Sequence, residues 1–409
     1  MKSDFVFATV TSFLSLLSIV QSWGAYNVLY QWKIIQYNIP SNVQLNPAEY
    51  KPQNNLISLL AIYEDRMWLV TPRYLRGVPV TLSTIPYKDK LHWWDQFFFP
   101  SPILQPFPNY EMNKIGDCDA LQLAHALDID QFGRLWVVDV GRIDILEETT
   151  RNLCPAKLVI FDVKNGRSDK IFTYTFPDDV APPESNIVKD IQVACETKDD
   201  CWAYIADISL SRLVIYDHKR RESWTAEHPS MAPDPNESIF FINGVQTSRL
   251  FGITGIGLAP IKFKFSYLLY SPLASKTLYK VESDTLKNPH LKLNGTLNEN
   301  DVIALGEKPG QSDGFAMTSK GRLYYADLPN CSVISTDTDP EMTHIAEQKT
   351  VAQSYVDLLW PKNFAFDGKG KLALTSTKFH LIQATNPTEY NFRVIILRHT
   401  GHVYAYNSR

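Results

Sequence analysis

An all-β fold, a six-bladed β-propeller, is predicted by three features of the sequence. A polar turn leading into a short aromatic-rich strand recurs six times, at intervals of roughly 50 to 70 residues. Helical periodicity sustained over ten or more residues is nearly absent. A strand-like run stands at each end of the repeats, "VLYQWKIIQYNIP" at 28–40 and "NFRVIILRHTGHVYAY", read as a hairpin-like pair, at 391–406.

The six copies are "YEDRMWLVTPR" (63–73), "DQFGRLWVVDVG" (130–141), "DDCWAYIADIS" (199–209), "FSYLLYSPLAS" (265–275), "SKGRLYYADLP" (319–329) and "GKGKLALTSTKF" (368–379). Most follow an apolar strand, as in "DALQLAHALDI", "NIVKDIQVAC", "FGITGIGLAP", "DGFAMTS" and "NFAFD". A third strand comes next in several, for example "KLVIFDVKNGR" and "RLVIYDHKRRESW", and "KIFTYTFP" supplies a fourth. A repeat of this size is one four-stranded blade with its loops. Closure into a ring removes the exposed end sheets that an open stack would have to cap. The N-terminal strand is therefore expected to complete the blade made by the C-terminal residues. Asp139, Asp207 and Asp327 end the second strands, where a carboxylate can accept N–H bonds from the following turn; a direct ligand role is the alternative.

The chain has 409 residues and a net charge of −4, with its basic residues scattered. A reader of nucleic acid needs a basic face, so nucleic acid is not expected as a partner. Residues 1–24 carry Lys2, an apolar run from Phe5 to Val20, then Ser22 and Gly24. That order is expected of a secretory signal cleaved near Gly24, leaving residues 25–409 as a single extracellular propeller domain, free of the membrane. The cysteines suit that address. Cys195 and Cys201 flank a polar turn and should face each other across a hairpin; Cys118 and Cys154 form the other pair, leaving Cys331 over. Asn236, Asn294 and Asn330 open Asn-x-Ser/Thr acceptor sites for glycosylation.

As a set, and in order from about Tyr30 to about Phe379, several stretches resemble the family of insect Yellow and major royal jelly proteins. They are "YQWKIIQYNIPS", "GRLWVVDVG" with "CPAKLVIFDV", "YIADISLSRLVIYDHKRRESW" and "LLYSPLASKTLYKVES". The resemblance implies a secreted propeller acting in cuticle pigmentation and the melanin pathway, as a dopachrome-converting enzyme, or as a nutritive or structural protein. Salivary relatives bind biogenic amines in the central channel.

A propeller binds ligands in its axial tunnel, lined by the first strand of each blade. Polar residues at or near those strands are Gln122, Asp190, Gln192, Thr254, Asp313, Lys362 and Asn363. An aromatic amine needs a carboxylate for its ammonium, from Asp190 or Asp313, and an aromatic face for its ring. Those same polar groups could equally satisfy backbone at the crowded axis. The resemblance adds the position two residues after an Asn that the amine binders carry: here the aromatic is kept as Phe379, but Thr377 replaces the Asn and Lys362 stands where they have a Thr. A lysine beside a cationic ligand is unfavourable, which points to a neutral or anionic one. Dopachrome conversion needs a general base, Asp190 or Asp313, with Lys362 steadying the substrate carboxylate. A calcium site would draw on Asp190, Asp313 and Asn363, but no metal and no cofactor is expected. "HTGH" (His399, His402) reads as a turn, and "HWWDQFFFP" (92–100) as cover for a blade edge. The expected function is binding of a small aromatic or amine-derived ligand in the central channel.

Overall fold

The computed structural model describes residues 25–46, 48–88, 101–259, 266–338 and 343–398. The signal-like segment, the aromatic run 92–100 and both histidines of "HTGH" lie outside these residues. Each blade is an antiparallel sheet of four strands. Blade one comprises Leu59–Tyr63, Arg66–Val70, Leu82–Pro86 and Gln105–Pro106; blade two, Ala124–Ile129, Arg134–Asp139, Lys157–Asp162 and Asp169–Thr175. Blade three comprises Val188–Cys195, Cys201–Asp207, Arg212–Asp217 and Glu222–Glu227; blade four, Ile253–Leu258, Tyr267–Pro272, Thr277–Glu282 and Val302–Glu307. Blade five comprises Phe315–Met317, Arg322–Asp327, Ser332–Asp337 and Gln348–Gln353. Blade six takes Trp360–Phe366, Leu372–Thr377 and Phe392–Leu397 from the C-terminal end and Tyr26–Trp32 from the N-terminal end, in the order that closes a ring.

The first strands of the six blades touch one another in an unbroken cycle, so they form the wall of the axis. Alternate residues of each strand face the two neighbouring sheets, and the apolar ones fill the gaps between blades. Between blades one and two, for example, Trp68, Phe107 and Phe161 meet edge to face at 5.7 and 5.3 Å. The closing strand pairs Tyr26 with Leu397 through Trp32 with Phe392, and buries Leu29, Tyr30 and Trp32. It is shorter than the sequence run suggested. Beyond Trp32 the chain leaves the sheet, and Tyr37 forms a lone parallel bridge to Leu104. At the other end, the expected hairpin-like pair begins as one strand, Phe392–Leu397, and residues 399–406 lie outside those described.

Two of the three strand-ending aspartates, Asp139 and Asp207, accept backbone N–H bonds. Asp139 takes N–H bonds from Gln122, Leu123 and Gly141 at 2.8, 2.8 and 3.0 Å. Two of these donors lie at the entry to the same blade rather than in the following turn, so the carboxylate clamps the first strand to the second. Gly141 sits at φ +72°, where an added Cβ would lie 1.9 Å from the Cys154 carbonyl oxygen. Asp207 accepts from Ser209 and Leu210, and Asp327 from the side chains of Asn330 and Ser332.

Both expected disulfides are present, Cys118–Cys154 and Cys195–Cys201, and Cys331 is buried with a free thiol. Asn236 and Asn294 are exposed; Asn330 is exposed too, but its amide donates to Asp327 at 2.8 Å. Among the described residues, no helix is long and apolar enough to cross a membrane.

Candidate functional site

The inner strands of blades two, three, four and six each carry one residue that skips the ladder. Pairing jumps from Ala124 to Ala126, from Val188 to Asp190, from Ile253 to Gly255 and from Pro361 to Asn363. The skipped residues are His125, Lys189, Thr254 and Lys362. A bulge of this kind turns its side chain away from the regular alternation. In blades two to five, the carbonyl two residues before the position in question accepts the N–H that follows the second strand: Leu123 from Val140, Ile187 from Ile208, Gly252 from Leu273 and Gln311 from Leu328. Asp313 is thus the equivalent residue of blade five. Register places Ser58, just before Leu59, at the same position in blade one.

Contacts show that these residues converge. Asp313 lies between two lysines, with Lys189 Nζ 3.0 Å from Oδ1 and Lys362 Nζ 3.1 Å from Oδ2, and Trp360 Nε1 donates to Oδ2 at 2.6 Å. The Thr254 hydroxyl donates to the Ser312 carbonyl. His125 Nδ1 donates to the Val188 carbonyl, which leaves Nε2 to accept from the Tyr74 hydroxyl at 2.5 Å. Lys362 Nζ stands 4.1 Å from the centre of the Phe379 ring, over which Arg249 also lies at 5.4 Å. Trp360 meets Phe379 edge-on at 5.1 Å. A hairpin, Ile239–Ile242 with Val245–Ser248, packs Phe240 and Ile242 into the same cluster. Its Asn243–Gly244 turn has the two positive φ angles such a hairpin needs.

Burial sets the charges. It raises the Asp313 carboxyl, but the two lysines and the Trp360 hydrogen bond outweigh it and hold the group below the ordinary carboxylate range. Desolvation pulls Lys362 down to about 8 against the attraction of Asp313. It also drives His125 to about 3, helped by Lys189 and Lys362, so the imidazole is neutral.

Below this ring of side chains the inner strands of blades one, two, three, five and six line an axial cavity of about 100 Å³, with Asp128, Asp190, Gln192, Phe315 and Asn363 in its wall. Burial pushes the carboxyls of Asp190 and Asp128 up to about 7, although Asp128 is half-open to the channel. Several of these groups also stitch the blades together. Asn363 Oδ1 accepts from Leu60 N–H at 2.8 Å, Asp128 from Val193 N–H at 2.8 Å, and Asp190 from Ile256 N–H at 3.4 Å. Each of these bonds joins one inner strand to the next.

The sequence-predicted residues therefore separate into groups. Thr254, Asp313 and Lys362 come together in the ring, with Phe379 against it. Asp190, Gln192 and Asn363 line the cavity. Thr377 lies at the edge, its hydroxyl accepting from Phe379 N–H at 3.2 Å. Gln122 is held elsewhere: its amide accepts from Gly116 N–H and donates to the carbonyls of Lys114 and Asp117. Asp313 and Asp190 differ in what they can do. Asp313 has both oxygens engaged by cations and the indole, so it is an anchor. Asp190, poised near neutrality beside a cavity, suits proton transfer.

Sequence reasoning missed His125, Lys189 and Ser58. Aligning "HALDI", "KDIQV", "TGIGL", "DGFAM" and "KNFAF" at their first residues would have found the first two.

A pH dependence follows. The Asp190 carboxyl is higher in the folded chain, about 7, than its usual 3.8. Its contribution to stability is therefore full below pH ~4 and is lost as pH rises through ~7. Asp190→Asn should flatten the decline in unfolding free energy from urea titrations between pH 5 and 8, by about 1–3 kcal/mol relative to the unaltered protein. Parallel pH profiles would contradict this.

A family model described as "Major royal jelly protein" matches residues 123–403. A protein described as dopaminechrome tautomerase, from Drosophila melanogaster, is 25% identical over 396 residues, covering 92% of this chain and 82% of that one. Protein yellow of Drosophila yakuba is 30% identical over 309 residues, covering 72% of this chain but 54% of its own. The chain thus spans about half the length of the Yellow proteins it matches. Among solved structures, a luciferin-regenerating enzyme superposes with a TM-score of 0.46 at 11% identity, over 87% of this chain and 97% of that one. That likeness is too loose to carry an argument.

Proposed function

This chain belongs to the major royal jelly protein family, and from that premise we propose that it is a secreted protein holding a small catechol- or indole-derived ring at its axis, in the handling of pigment precursors. The observation that carries the reading is the convergence of Thr254, Asp313, Lys189 and Lys362 beside the Phe379 ring and the Trp360 indole N–H. An aromatic floor with a few fixed polar groups is what a small planar ligand requires. Two disulfides fit an oxidising compartment, and exposed Asn236 and Asn294 fit glycosylation there.

Calorimetric titration with 4-ethylcatechol, 5,6-dihydroxyindole and 3,4-dihydroxyphenylacetate tests the reading. Saturable binding at one site per chain is expected, weakened ~10-fold, or about 1.4 kcal/mol, by Phe379→Ala. Absence of heat with all three would leave a structural or nutritive protein.

A second reading, conversion of an aminochrome, is favoured by Asp190 and Asp128 near neutrality at the cavity and by the tautomerase relative that matches 92% of the chain. In such a step the carboxylate takes a proton from a ring carbon of the fused quinone, a quinone oxygen gains one, and no electron leaves the molecule. Loss of dopaminechrome absorbance would follow it. The double variant Asp128→Asn with Asp190→Asn should lower turnover by about 10²–10⁴-fold, and unchanged turnover would eliminate the reading.

A further inference from the structure

The ring holds more positive charge than negative. Lys189 and Lys362 share one carboxylate, Asp313, and the side chains of all three are at most 4% exposed. His125 is neutral, and Arg249 adds a further cation 5.4 Å from the centre of the Phe379 ring. An ammonium has three donor hydrogens. Beyond Asp313, neither lysine has another hydrogen-bond acceptor among the described residues. A buried cation without a full set of partners is costly unless something else supplies the acceptor. The nearest carboxyl on the cavity side, Asp190, already accepts from Ile191 and Ile256 N–H.

We propose that the axial ring is an anion subsite, and that the ligand is an aromatic molecule carrying a carboxylate, which Lys189 and Lys362 bind while its ring rests against Phe379. This rests on the reading that the axis holds an aromatic ligand, and it specifies the charge of that ligand. The geometry opposes an ammonium: such a group would stand beside two lysines and meet a carboxylate whose oxygens are both taken. A carboxylate instead completes the coordination of both cations and brings the buried ring toward neutrality.

A matched series separates the possibilities. 3,4-Dihydroxyphenylacetate, 4-ethylcatechol and dopamine share a catechol and differ in side-chain charge. Titrated at pH 7, the carboxylate should bind ~10-fold or more tighter than dopamine, with the neutral catechol between. Lys362→Met should narrow that gap to about 3-fold or less by removing one of the two cations, and Lys362→Arg should keep it. Equal affinities, or tighter binding of dopamine, would overturn the anion subsite and leave the aromatic reading standing. Binding of none of the three would overturn both. The comparison within the unaltered protein decides the matter even if the methionine variant fails to fold.

Discussion

Asp313→Ala is expected to cost about 3–5 kcal/mol of folding stability. The carboxylate is buried, neutralises one of two buried lysines and accepts the Trp360 indole N–H. Its loss leaves two ammoniums facing each other in a site that water cannot reach freely, and leaves the indole without its acceptor. The urea midpoint should fall accordingly, with an unchanged slope if the denatured state is unaltered. A control sharpens the test. Removing all three charges together, in Asp313→Ala with Lys189→Met and Lys362→Met, should recover much of the loss, because a buried ionic cluster replaced by apolar side chains is often no less stable. A single variant within about 1 kcal/mol of the parent would mean that the cluster is hydrated and that its charges do not depend on one another.

Trp32→Ala should be comparably severe, about 3–5 kcal/mol. Trp32 is 1% exposed, donates its indole N–H to the Pro102 carbonyl at 2.9 Å, and ends the strand that joins the first residues of the ring to the last. Truncation leaves a cavity at the seam of the closing sheet. The ring is held at this seam by a single strand, so amides of Phe392–Leu397 should lose hydrogen-exchange protection well before those of blade three. Uniform loss across all blades would show that the ring unfolds as one unit instead.

The sequence revealed the blades because each is a local object. A turn such as "DQFG" or "SKGR", a short aromatic-rich strand and a terminal aspartate can be read within a dozen residues. Closure was legible for the same reason, since an unpaired strand-like run at each end needs a partner. The site was legible only in part. Asp313, Lys362 and Thr254 stand out as polar residues near inner strands, but so does Gln122, which serves a loop instead. A bulge changes which residue faces the axis by one position. Sequence position therefore singles out Asp190, whereas the ring residue is its neighbour Lys189. Nor could residue type alone distinguish two buried aspartates: Asp313 is an ion-pair anchor because lysines from two other blades reach it, and Asp190 is a near-neutral acid because burial raises its carboxyl.

The bulges have an implication for how such a chain can diverge. His125, Lys189, Thr254 and Lys362 stand outside the pairing of their own strands, so exchanging any of them leaves the flanking hydrogen bonds in place. Mutational drift at these few codons can therefore swap the chemistry presented at the hub while the ladder within each blade stays paired. Close kin with superposable backbones need not share a substrate, and a ligand should be assigned to each from its own hub residues.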